Sequence, residues 1–172
     1  MTQELIDLRN SILEGRYNDA LEIVDELEGM SKLAILRNIQ AYLRVFLIYL
    51  IKNQIEQRLT NSWVASIRNS LREIQKLNLK ANKKSYYINL EEWDDYLEDE
   101  LEAAIRDASL EVANGVYNEF ELLEMVDRNQ LKQTGLKFLT LIYSYSVREL
   151  PTVIAENLTN LPGGEDWKSR KQ

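Results

Sequence analysis

AYLRVFLIYLIKNQIEQR, residues 41–58, is apolar without a break from Val45 to Ile51 and then turns polar at Lys52, Asn53 and Gln54. A helix that is apolar nearly all round must be surrounded by other helices, so this run predicts the buried middle of a bundle. Working backward, Leu43, Ile39, Leu36 and Leu33 keep the three-and-four spacing as far as Ser31, a good N-cap. The predicted central helix therefore covers residues 31–58.

Composition agrees. The chain has 172 residues, 45% hydrophobic and 28% charged, with only six glycines and two prolines. A strand-rich domain needs many turn residues, so the expected class is all-α, a bundle of six to eight helices. Histidine and cysteine are absent, which removes disulfides, thiolate nucleophiles, Ser-His and Cys-His dyads, and metal sites that need imidazole or thiolate ligands. The opening MTQELIDLRNSILEG lacks the basic leader and apolar core of a secretory signal. Ala41 to Ile51 carries Arg44 and falls short of the ~20 residues of a membrane span. The expectation is a cytoplasmic protein with no membrane contact.

Capping signals divide the rest. A first helix runs from Thr2 to a stop at Gly15, and a second from Asn18 to a stop at Gly29. After the central helix, Thr60 or Asn61 opens a fourth with the stripe Trp63, Ile67, Leu71, Ile74 and Leu77. Residues 78–88 have no clear period and read as a loop. Asn89 with Glu92 forms a capping box for a fifth helix running to Gly115, and Asn118 with Glu121 forms another for a sixth. A seventh helix follows through Leu131, Leu136 and Phe138, and Pro151 opens a short last one. Residues 1–160 are expected to form one helical domain and 161–172 a polar C-terminal tail.

Charge is unevenly spread. Residues 61–90 hold six basic groups and one acidic, whereas 91–127 hold one basic and fourteen acidic. Arg68, Arg72 and Lys76 share one helical face, and Asp94, Asp95, Glu98 and Glu102 share another. Such opposite blocks attract each other, within a bundle or across a dimer. Two other constellations are candidates. Tyr49, Asn53, Glu56, Trp63 and Ser66 would line a pocket where the central helix meets the next. Glu22, Glu26, Glu98 and Glu102, spaced four apart on two helices, mimic the paired acidic helices of all-helical nucleotide pyrophosphohydrolases, where carboxylates hold Mg²⁺. For each, the plainer reading is a core cluster or a solvated helix face. The basic residues 68–84, with Tyr86 and Tyr87 beside them, are the block a nucleic-acid binder would use, but the net charge of −7 disfavours nucleic acid as a partner.

In order along the chain, LEGRY at 13–17, VDELEGMSK at 24–32, LRVFLIYLIKNQ at 43–54, SWVASIRNSLREI at 62–74, ELEAAIRDASLEVA at 100–113 and LPGGEDWK at 161–168 resemble domain of unknown function 29, a family abundant in cyanobacteria. The resemblance implies an all-helical bundle and no established activity. The family usually carries histidine where this chain has Tyr49. A phenol of pKa ~10 does not replace histidine as a ligand or base at neutral pH, so the resemblance supplies no catalytic residue.

The expected function is that of an interaction or regulatory protein rather than an enzyme. It would engage a protein partner, or a second copy in a homo-oligomer, through the two charged faces, with no cofactor. The alternatives are Mg²⁺-dependent nucleotide or phosphoester hydrolysis at the four glutamates, and weak nucleic-acid binding through the basic block.

Overall fold

The computed structural model describes residues 2–169. Among the described residues the protein is all-α, with eight α-helices, two short 3-10 segments and a single isolated β-bridge. These residues fall into two compact units, one up to Arg37 and one from Asn38 onward.

The first unit holds α1 (Gln3–Leu13) and the beginning of α2 (Tyr17–Glu56), joined by a tight turn. Gly15 ends α1 as expected. Its φ is 73°, and the Arg16 N–H reaches back to the Ser11 carbonyl at 2.8 Å. The expected break at Gly29 is not there, and neither is the N-cap at Ser31: α2 passes through both without interruption. A glycine stop takes the left-handed conformation at the residue after the helix, and Gly29 does not take a positive φ. The apolar positions Ile23, Val24, Leu27, Met30 and Ala34 continue in phase across it. A glycine in mid-helix costs only about 0.5–1 kcal/mol relative to alanine, less than the loss of a whole turn. The central helix thus begins at Tyr17, not at 31, and it ends at Glu56, where Gln57 turns left-handed with φ 55°.

In the second unit the run Val45–Ile51 is buried at Phe46, Leu47, Leu50 and Ile51, half-buried at Ile48 and Tyr49, and exposed at Val45, so the helix is covered on one side rather than all round. α3 (Asn61–Asn78) begins where expected, and the Thr60 hydroxyl accepts the Trp63 N–H at 3.2 Å. Both predicted capping boxes are present, at Asn89/Glu92 and Asn118/Glu121. The first precedes α4 (Trp93–Ala108), which stops short of the expected Gly115; a 3-10 segment follows in which Ala113, Asn114 and Gly115 are all left-handed. The second opens α5 (Glu119–Met125). Asp127 caps α6 (Arg128–Ser144) by accepting the Gln130 N–H, and Pro151 sits in the first turn of α7 (Leu150–Leu158).

α6 packs against α3, α4 and α7. Its Phe138 meets Phe46 of α2 edge-on, with ring centroids 6.1 Å apart, and Gly135 leaves space for Leu97 of α4. By length and composition α2 also passes for a membrane-crossing helix. A third of its most apolar window is buried in the protein, with Phe46 against α6 and Arg44 bonded to Glu100 of α4.

The polar tail expected at 161–172 is largely folded. Residues Gly164–Ser169 form α8, Gly164 is buried, and the Trp167 indole donates to Asn61 at 2.9 Å. Residues 170–172 lie outside the described residues. Its polar composition hides the contacts that fold it; what holds it is the pair Gly163–Gly164, whose backbones lie so close to Arg58 and to the Leu158 carbonyl that no Cβ fits.

Candidate functional site

The charged faces come first. Arg72 and Lys76 of α3 are exposed and Arg68 half-buried. Lys76 reaches Glu73 of its own helix at 3.9 Å, and neither Arg68 nor Arg72 has an acidic partner among the described residues. The expected attraction between the basic block and its acidic neighbour is not realised within the chain. α3 and α4 are not a principal packing pair, and each packs on α6 instead.

The acidic helix α4 takes its cations from elsewhere. Lys132 of α6 lies between Asp94, at 3.2 Å, and Glu98, at 2.8 Å. The hydrogen bond to Glu98, then that to Asp94, holds its ammonium pKa above the ordinary value. Arg106 bonds Glu102 at 2.9 Å and Glu119 at 2.7 Å, and its bond holds the Glu102 carboxyl below the ordinary value. Arg44 takes Glu100 and Asp107. These are exposed or rim pairs, weakened by solvent screening, but they occupy much of the acidic face. Of the four acids singled out, Asp95 is the one without an ion-pair partner among the described residues.

The pocket candidates are brought together, but as a filled cluster. The Lys52 ammonium lies 4.9 Å from the Tyr49 ring and 4.9 Å from the Trp63 ring, and Arg58 covers the same indole at 4.6 Å. Lys52 is only 8% exposed; its stem is buried and its ammonium is 3.9 Å from Glu111. Asn53 donates to the carbonyls of Arg58 and Pro162, tying the end of α2 to the C-terminal segment. Glu56 accepts from Arg58 and from the Ala113 N–H at 3.1 Å. That carboxylate anchors the left-handed turn at 113–115, a conformation costly for alanine. Ser66 joins none of these contacts. The space beside Asn53 is about 30 Å³, water-sized, and the larger clefts, of about 310 and 480 Å³, open along α8 instead.

The four glutamates of the hydrolase alternative are exposed, and Glu98 and Glu102 are already bonded to Lys132 and Arg106. Among the described residues no group of three or more carboxylates is placed to hold a metal ion.

One polar centre has no local signal in the sequence. The Tyr143 hydroxyl of α6 accepts from the Trp93 indole and from Asn78, 3.0 Å away, and donates to the Ile88 carbonyl at 2.6 Å. Burial, outweighing the Trp93 and Asn78 hydrogen bonds, pushes its pKa up to about 12. Asn78 also accepts the Ile88 N–H at 2.7 Å and donates to the Ile88 carbonyl at 2.9 Å, so its side-chain amide pairs with Ile88 as a neighbouring strand would. Between them residues 79–87 form a small closed turn, with the bridge Leu79–Tyr86 and the Lys80 N–H bonded to the Ser85 carbonyl.

Compared with protein-family models, curated proteins and solved structures, the chain has no match.

Proposed function

We propose that this chain belongs with the domain of unknown function 29 proteins it resembles, and that it is a cytoplasmic interaction or regulatory protein. Its basic face engages an acidic surface, on a partner protein or on α4 of a second copy. The observation that carries this reading is the state of α3: exposed Arg72 and half-buried Arg68 meet no acidic partner among the described residues. Fixed charge left uncompensated in the protomer is what steers and registers a charged encounter.

Nucleic acid fits less well. Tyr86 lies edge-on to Tyr143 and Lys80 sits over Tyr87, so these aromatics are engaged inside the fold rather than free to stack on bases.

Light scattering of the wild type at ~50 and ~500 mM salt tests the proposal, because the Debye length shrinks about threefold over that range. Association through the charged faces weakens with salt and is lost in Arg68→Glu/Arg72→Glu. An assembly, with itself or with a captured partner, that ignores both changes refutes it.

A further inference from the structure

The cleft of about 310 Å³ along α8 is lined by Asn61 at the start of α3, by Ala155, Glu156 and Thr159 at the end of α7, and by Trp167 and Lys168 of α8 itself. Its walls are held in place. Ala155 and Thr159 are four residues apart, so they lie on one stripe of the helix with Glu156 beside them. The Trp167 indole donates to Asn61 Oδ1 at 2.9 Å, which fixes the orientation of the ring. α8 is seated by Gly163 and Gly164, where no Cβ fits. The Thr159 hydroxyl donates to the Glu156 carbonyl at 2.6 Å. The lining that these residues leave to a visitor is chiefly apolar, with an aromatic ring as its largest part.

Two opposite charges complete the lining, and they say what enters. Glu156 and Lys168 are exposed and share this one cleft. They do not pair with each other, nor with any other charge among the described residues. A simple anion drawn to Lys168 brings its charge toward Glu156, and a simple amine drawn to Glu156 meets Lys168. A molecule that carries both charges satisfies both, its ammonium at Glu156 and its carboxylate at Lys168, with the Asn61 amide nitrogen as a further donor to the carboxylate. The volume stands at the lower end of small-molecule sites, which run from ~300 to ~1,000 Å³. That favours a single amino acid over a peptide, whose terminal charges are separated by its own length, whereas a free α-amino acid holds both on one carbon.

We propose that this cleft binds a free α-amino acid with an apolar side chain, the side chain laid on the Trp167 ring and the two charges met by Glu156 and Lys168. The ring supplies contact area that an apolar side chain removes from water, and the charges supply orientation. Neither Arg68 nor Arg72 takes part, so the site and the charged face of α3 can fail independently of each other.

The test is a titration of the full chain with L-phenylalanine, followed in two-dimensional proton–nitrogen spectra. The chain has three tryptophans and so three indole N–H signals, and Trp167→Phe assigns the one in the cleft. L-phenylalanine is expected to move that signal saturably with a Kd of about 0.1–3 mM, the range of a small ligand in an open cleft, and to leave those of buried Trp63 and Trp93 in place. Three analogues each lack one feature: 3-phenylpropionate the ammonium, phenethylamine the carboxylate, glycine the ring. Each is expected to bind roughly fivefold more weakly or worse. Glu156→Gln should weaken L-phenylalanine by about three- to tenfold and spare 3-phenylpropionate, while Lys168→Gln should weaken it similarly and spare phenethylamine. Both side chains are exposed, so far-ultraviolet circular dichroism is expected to stay unchanged in both variants. A Trp167 signal unmoved by ~10 mM L-phenylalanine, singly charged analogues that bind as tightly as the amino acid, or charge variants that bind it unchanged would overturn the proposal.

Discussion

Replacing Tyr143 by phenylalanine keeps the ring against Tyr86 and removes one oxygen. That oxygen serves Trp93, Asn78 and Ile88 at once. The Ile88 carbonyl keeps its bond from Asn78, so two donors are left stranded: the indole N–H of Trp93, a residue that is 0% exposed, and one amide hydrogen of Asn78. A buried donor without a partner costs about 1–3 kcal/mol. Trp93 stands at the upper end and Asn78, which keeps one bond, at the lower, for about 2–4 kcal/mol together. In a chain of this size 1 kcal/mol moves Tm by about 2–4 °C, so Tyr143→Phe should melt roughly 5–15 °C lower, or show a matching shift in urea midpoint with unchanged slope. The pH dependence is a second signature. Tyr143 releases its proton near 10 in the unfolded chain and at about 12 in the folded one. The stability tied to its bound proton is complete below pH 10 and fades as pH rises from 10 to 12. The gap between wild type and Tyr143→Phe should therefore narrow across that window. A loss below about 0.5 kcal/mol, or curves that stay parallel up to pH 12, would refute the reasoning.

Glycine supplies two further tests with opposite signs. Gly164→Ala places a Cβ 2.3 Å from the Leu158 carbonyl oxygen; α8 should lose its seat, read as a changed Trp167 emission and faster proteolysis at the C-terminus. Gly29→Ala meets nothing within 4 Å and sits in mid-helix, so it should strengthen α2 locally by about 0.5–1 kcal/mol. Slower amide exchange around residues 25–33 would show it, and faster exchange there would mean that the continuous helix is wrong.

What could be read in advance was local chemistry. Thr60, Asn89 with Glu92, Asn118 with Glu121 and Pro151 mark their helix starts because a cap acts within one turn of itself. The break predicted at Gly29 failed for a related reason: glycine permits a left-handed stop but does not impose one, and the apolar phase running through it decided the matter. The C-terminal helix and the Tyr143 centre were illegible because their partners are distant in the chain. Trp167 meets Asn61, and Tyr143 meets Asn78, Ile88 and Trp93. Lys52 opens the polar run in the sequence, yet it is buried, with its ammonium over the rings of Tyr49 and Trp63. Tyr49, Asn53, Glu56 and Trp63 lie about one cluster that Ser66 does not join, and a lysine and an arginine of the chain itself fill it, so its plainer reading as a packed cluster matches the geometry. Within the chain the two charged faces do not pair, because α6 supplies Lys132 to the acidic helix and Arg68 and Arg72 meet no acid among the described residues.

The side chain of Asn78 bonds both backbone groups of Ile88, so the turn at 79–87 is fastened to the core at its neck, while the bonds at its tip, from the Lys84 and Ser85 N–H groups to Asn82, stay within the loop. Lengthening such a loop adds only about 0.6 kcal/mol of closure entropy per doubling. The stretch Ala81–Lys84, exposed throughout, is thus a place where an epitope or a fluorescent reporter can be spliced into the chain next to its basic face, with the core left unaware of the cargo.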